Sequence, residues 1–128
     1  PIVPVPTSVN QAISMGNIIE KTGAGIGYGT GSGGTVTQLT SKSTAVTLNK
    51  HSGRIVTHNS SLASGATVVF QVNNSLVLNT DSINVVLSDN ASYDITIGWN
   101  STGGFTIKIT NITGSTLAEV LNIYFNII

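Results

Sequence analysis

Two histidines and five acidic residues are all that the chain offers for acid–base or metal chemistry, and it has no cysteine. His51 and His58 stand seven positions apart with a Ser52-Gly53 turn between them, and no third ligand follows at a zinc-like spacing. Both read as ordinary turn and strand histidines. Asp81, Asp89 and Asp94 lie in or beside turn-forming stretches, and none opens the alternating acidic and glycine pattern of a calcium loop. Turn formation by Asx side chains accounts for them. No two carboxylates are singled out for glycosidase chemistry, and serine, although frequent, never sits in a G-x-S-x-G elbow. The chain reads as non-enzymatic, with no cofactor and no metal expected.

Glycine is the other residue type with chemical uses. Half of the fourteen glycines fall between Gly23 and Gly34, and Gly29, Gly31 and Gly34 formally satisfy G-x-G-x-x-G. A nucleotide loop needs a strand before it and a helix N-terminus after it, and neither is predicted. A Walker loop would need Lys-Ser or Lys-Thr after the glycines, which is also missing. The stretch reads as a linker, or as backbone packed closely against another chain. Asn59, Asn73, Asn90, Asn100 and Asn111 begin N-x-[ST] sequons, a number near chance for a chain so rich in Asn, Ser and Thr, and no glycosylation is inferred.

The elements that must position these residues are constrained by composition. The chain has 128 residues, a length that suits one domain, and 40% of them are hydrophobic, which is enough to build a core. No run approaches the roughly 20 apolar residues of a membrane-spanning helix. Charged residues make up only 8%, against about 25% in a typical domain, and the five basic and five acidic side chains cancel. Nothing here would steer nucleic acid, and charge this sparse suits a protein that works inside an assembly.

Residues 1–34 read as an extended N-terminal arm and Gly-rich linker. Pro1, Ile2, Val3, Pro4, Val5 and Pro6 open it with prolines that favour extended, polyproline-like backbone, a segment suited to anchoring on a neighbouring protein. Ser8 with Gln11 has the spacing of a capping box, so Ser8 to Lys21 is either a short helix weakened by Gly16 or a continuation of the extended arm.

From Thr35 to Ile128 the hydrophobic period is two, in eight runs. Their inward sets are Val36 and Gln38; Val46 and Leu48; Ile55 and Thr57; Val68, Phe70 and Val72; Ile83, Val85 and Leu87; Tyr93, Ile95, Ile97 and Trp99; Phe105, Ile107 and Ile109; and Leu121, Ile123, Phe125 and Ile127. Turn chemistry separates them at Lys50 to Gly53, Ala63 to Gly65, Asn73 to Asn74, Asp89 to Asn90, Asn100 to Gly104 and Asn111 to Ser115. The pattern predicts an all-β domain over 35–128, an eight-stranded antiparallel jelly-roll sandwich. The longest link, Asn73 to Ser82, is expected to cross between sheets with Leu76 and Leu78 tucked beneath it. Trp99 and Tyr93 are assigned to the core. On the last run Tyr124 faces the other way, between Asn122 and Asn126, which makes that face a candidate subunit contact. The alternative is that Tyr124 is an ordinary surface residue.

The string GYGTGSGGTVTQLTSKSTAVTLNKHSGRIVTHNSSLASGATVVFQV resembles a recurrent segment of bacteriophage virion proteins, in which a Gly-rich lead enters GGTVTQ-x-TSKST-x-VTLN-x-x-SG-x-I. The likeness spans roughly Gly27 to Ile128, and the end after Gly114-Ser115-Thr116-Leu117-Ala118-Glu119 is also similar. The resemblance implies a jelly-roll module on the outer surface of a phage particle, usually a homotrimer. Such a module serves as a head-decoration (cement) protein on the major capsid protein or other virion proteins, or as the knob of a fibre or tail needle. A knob would meet a host-surface glycan through loops such as Asn73 to Thr80 and Asn100 to Gly104. No heptads precede the strands, which for a complete chain favours capsid decoration. The resemblance carries over no ligand-binding residue.

Overall fold

Each of the eight alternating runs forms a strand. The structure, a computed structural model, describes residues 20–21, 25–26 and 31–128. Two compact units are present, Pro1–Ser32 and Gly33–Ile128. In the first, β1 (Glu20–Lys21) pairs antiparallel with β2 (Gly25–Ile26). Glu20 and Lys21 are therefore strand, where the helical reading of Ser8 to Lys21 would have placed its last turn. The rest of that reading, and the arm from Pro1 to Pro6, lie outside the described residues.

The second unit holds β3 (Thr35–Thr37), β4 (Val46–Thr47), β5 (Ser52–Val56), β6 (Thr67–Asn73), β7 (Ile83–Leu87), β8 (Tyr93–Ser101), β9 (Gly104–Asn111) and β10 (Asn122–Ile127). They form two four-stranded sheets, ordered β3-β5-β10-β7 and β4-β6-β9-β8. The described residues are all-β, without a helix. The sheets are mixed, which corrects the antiparallel expectation: β3 runs parallel to β5 and β4 parallel to β6. The reason is the order of crossing. From β3 to β8 the chain changes sheet after every strand, and strands two apart return to the same sheet pointing the same way. Where such strands pair, the ladder is parallel. All remaining pairs lie an odd number of steps apart in strand order and are antiparallel.

One apolar core lies between the sheets. β9 contributes Phe105, Ile107 and Ile109, and β6 contributes Phe70 and Val72; β10 answers with Ile123, Phe125 and Ile127, and β5 with Ile55. Phe105 meets Phe125 edge-on across the gap, with ring centroids 5.5 Å apart, a favourable aromatic geometry. Ile95 and Ile97 pack against this core from the edge strand, half-buried.

Three sequence expectations fail locally. Trp99 is 48% exposed and is not a core residue. The β8–β9 register shifts between Ile97 and Asn100, so Gly98 and Trp99 together oppose Thr106, and this bulge turns Trp99 out of the inward set. Gly98 belongs at the bulge because a Cβ there would overlap the Thr106 hydroxyl. In the β6–β7 link, which does cross between sheets, Leu76 and Leu78 are exposed and Val77 is fully buried. Asn74 sets that reversal, its Oδ1 accepting from Leu76 N and its Nδ2 donating to Lys50 O. The third is the bounds of the separators: Ser52 and Gly53 already belong to β5, Asn73 to β6, Asn100 and Ser101 to β8, and Gly104 and Asn111 to β9.

Candidate functional site

The face of the first sheet turned away from the core carries Thr35 and Thr37 on β3, Ser52 and Arg54 on β5, Asn122, Tyr124 and Asn126 on β10, and Asn84 and Val86 on β7. Strand pairing sets Thr35, Arg54, Tyr124 and Val86 side by side in one row across all four strands. Tyr124 is 45% exposed and Val86 61%, while Asn122 and Asn126 are half-buried. The four strands contain no Asp, Glu, Lys or His, so Arg54 is the only charged side chain that they bring to this face.

At the end of the row where β5 begins, the face opens into a shallow cleft of about 350 Å³ lined by Gly33, Gly34, Thr35, Ser52, Gly53, Arg54, Tyr124 and Phe125. Glycine makes its floor. A Cβ on Gly53 would stand 2.6 Å from Leu48 Cδ2, 3.0 Å from Gly34 O and 3.1 Å from Phe125 Cε1. The backbones of β5 and of the segment leading into β3 therefore lie close over the aromatic ring because no side chain separates them.

At the other end of β5 the polar groups are enclosed. Lys42 is only 2% exposed, and its ammonium donates to three backbone carbonyls: His58 O at 2.6 Å, Ser60 O at 2.7 Å and Glu119 O at 2.7 Å. Gln38, also buried, donates to Lys42 O and Thr44 O and accepts from His58 N. Thr57 Oγ1 accepts from Leu121 N. These bonds tie the segments after β3, after β5 and before β10 into one knot. Burial lowers the Lys42 ammonium below its ordinary value, with the Glu119 carboxylate pulling the other way. The same burial, with Glu119 second, raises the Tyr93 phenol, whose buried hydroxyl has no hydrogen-bond partner.

The residues considered for catalysis or metal binding have local tasks. His58 Nδ1 accepts from Ser60 N, Asp81 Oδ2 accepts from Leu78 N, Asp94 Oδ1 from Ile95 N, and Asp89 takes the left-handed conformation of a turn at φ 54°. His51 is exposed. Among the described residues no three His, Asp or Glu side chains gather as a metal site. Of the sequon residues, Asn111 is fully buried and bonds Leu62 O and Ser115 O, so its amide is structural.

The outward set Asn122, Tyr124 and Asn126 lies where the alternation puts it, whereas Arg54 and Lys42 escape the sequence reading. For Arg54 the signal is present, since it precedes Ile55 on a strand and must face outward. For Lys42 there is none, because a lysine amid serines and threonines reads as a solvated turn.

Comparison with protein-family models, with curated proteins and with solved structures returned no match.

Proposed function

We propose that this chain is a non-enzymatic structural protein of a bacteriophage virion, a decoration protein that sits on the outside of the capsid as a homotrimer and stabilises it. The observation that carries this reading is the outer face of the first sheet. It is four strands wide, carries one charge and centres on an exposed tyrosine beside an exposed valine. Aromatic side chains are enriched in buried contacts between proteins, and charge is depleted there. Asn122, Tyr124 and Asn126 form the subunit contact in this reading, and the arm from Pro1 to Pro6 reaches the capsid.

The jelly-roll assignment belongs to the same proposal. The order β5-β10-β7 facing β6-β9-β8 is what a jelly roll reduced to six strands would have, with β3 and β4 added in parallel along one side. The resemblance of the string from Gly27 to Val72 to a segment of virion proteins supports the reading from the sequence side.

Particles assembled without the protein should lose their DNA at lower temperature than complete ones, and adding the purified chain back should restore the difference. Equal heat resistance with and without it would remove the decoration role. The cleft favours a second reading, a receptor-binding fibre or needle knob, and competition of the isolated protein with phage adsorption distinguishes that case.

A further inference from the structure

The cleft at the start of β5 combines groups that the packing of the domain does not use. Among the described residues the Arg54 guanidinium makes neither a hydrogen bond nor an ion pair, although it presents five donors in a planar fork. Its cross-strand neighbours are Thr35 on one side and Tyr124 on the other, and Ser52 lies two residues away on the same face. Acidic side chains are absent from all four strands, so no carboxylate of the sheet competes for the guanidinium. The volume, about 350 Å³, is near the lower end of the range for small-ligand sites, roughly 300 to 1,000 Å³.

A planar donor fork grips a carboxylate or a phosphate through two parallel bonds, and of the two the carboxylate is the group that ring-shaped, hydroxylated ligands most simply carry beside an apolar face. An isolated carboxylate, such as a glutamate side chain, would satisfy Arg54 but leave the wall of Tyr124 and most of the cleft unfilled. A saturated ring bearing a carboxylate and hydroxyl groups uses more of the site. Its C–H face lies against the tyrosine ring, its acid meets Arg54, and its hydroxyls reach Ser52 and Thr35. We propose that this cleft binds an acidic sugar, a hexuronate-type unit of a polysaccharide, with Arg54 as the carboxylate anchor and Tyr124 as the stacking wall. The proposal goes beyond the decoration role and leaves it untouched, but it needs the Tyr124 ring open to solvent and so takes Tyr124 out of the subunit contact named above.

The test is a titration of the full chain, in its native oligomeric state, with sodium glucuronate, monitored by backbone amide chemical shifts. Glucose, acetate and a short glutamate-rich peptide are titrated alongside. Saturable glucuronate binding is expected, with shifts centred on Ser52 to Arg54 and Tyr124 and with affinity falling as salt rises. Glucose and acetate should bind at least ten-fold more weakly. Arg54→Gln should lose at least ten-fold, Arg54→Lys should recover only part of it because the fork is gone, and Thr35→Val should lose less than either. Thermal melting and light scattering on the same samples establish that each variant keeps its fold and assembly. No saturable glucuronate binding, equal binding of glucose, or unchanged affinity in Arg54→Gln would overturn the proposal. Preference for the peptide would also overturn it and assign the cleft to a protein partner. Sedimentation of Arg54→Gln with particles reads the decoration role separately, so either proposal can fail alone.

Discussion

The two ends of β5 are built from opposite materials. At its C-terminal end Gln38, Lys42, Thr57 and the backbone around Leu121 enclose their polar atoms and match each to a partner. At its N-terminal end three glycines leave a cleft open, and the nearest charge, on Arg54, is unmatched by any described residue. A buried donor is tolerable only when satisfied, whereas a half-buried one such as Arg54 still reaches water and can wait for a ligand. The contrast therefore separates the end that holds the fold from the end available to bind.

The largest effect should come from breaking the closed end. Lys42→Met keeps the length of the side chain but leaves three carbonyls without their donor, each worth roughly 1 to 3 kcal/mol when buried and unpaired. Relief from burying an ammonium offsets part of this. A net loss of about 3 kcal/mol in urea unfolding is expected. A loss under about 0.5 kcal/mol would mean that water or the remaining chain replaces those bonds and that this end is not the clamp.

Next in size is a change at the open end that intrudes on packing. In Gly53→Ala the added methyl meets Leu48, the Gly34 carbonyl and the Phe125 ring together, and the carbonyl cannot swing away as a flexible side chain would. Overpacking of this kind costs about 1 to 3 kcal/mol. Unchanged stability would show that the backbones part freely, and the cleft would then not be a fixed shape.

Tyr93 sharpens the comparison inside the closed end, because its hydroxyl is the one buried side-chain polar atom among the described residues left without a partner. Removing an unsatisfied hydroxyl should be neutral or stabilising, so Tyr93→Phe is expected to change stability at pH 7 by less than about 1 kcal/mol. Its effect grows with pH. The phenol titrates above its ordinary value of about 10 in the folded protein and at that value when unfolded. The folded state then holds a proton that the unfolded state has lost, and stability falls as pH rises from about 10 through the folded value. Urea midpoints of the wild type and the variant should run parallel below pH 10 and diverge above it, the wild type falling faster. Parallel curves throughout would place Tyr93 in water.

Much of the architecture is legible because alternation is a strong signal where one face is dry. Period alone assigns Phe70, Phe105, Ile107, Ile109, Ile123 and Phe125 to the core, and all are buried. Trp99 escapes because one inserted residue reverses the face of its successors, and no residue before Gly98 announces the insertion. Parallel pairing is illegible for another reason: period two fixes faces and not partners, and β3 and β4 look the same whichever neighbour they take. Lys42 stays hidden because burial of a lysine depends on three carbonyls brought in from distant segments. The same knot explains why the stretch from Thr35 to Thr47 is rich in polar letters. Gln38, Lys42 and Thr44 lie within it, and each closes a bond there.

The smallest effect on the fold, and the largest on assembly, is expected at Tyr124. Its side chain is nearly half exposed, points away from the core by alternation, and is flanked by Arg54 and Val86 on neighbouring strands. Tyr124→Glu should therefore shift unfolding by about 0.5 kcal/mol or less, within the range of ordinary surface changes. If the same face joins subunits, the substitution puts a carboxylate into a contact whose four strands carry no other charge than Arg54. An unpaired buried carboxylate is far costlier than a lost aromatic contact. Light scattering at micromolar concentration should then show trimers for the wild type and monomers for the variant, both folded. Arg54 complicates the outcome in a useful way, since it sits beside position 124 and can pair with the new carboxylate within one chain. Adding Arg54→Gln to Tyr124→Glu removes that rescue. A double variant that still forms trimers would clear this face of the subunit role, leaving the row of Thr35, Arg54 and Tyr124 to the ligand alone.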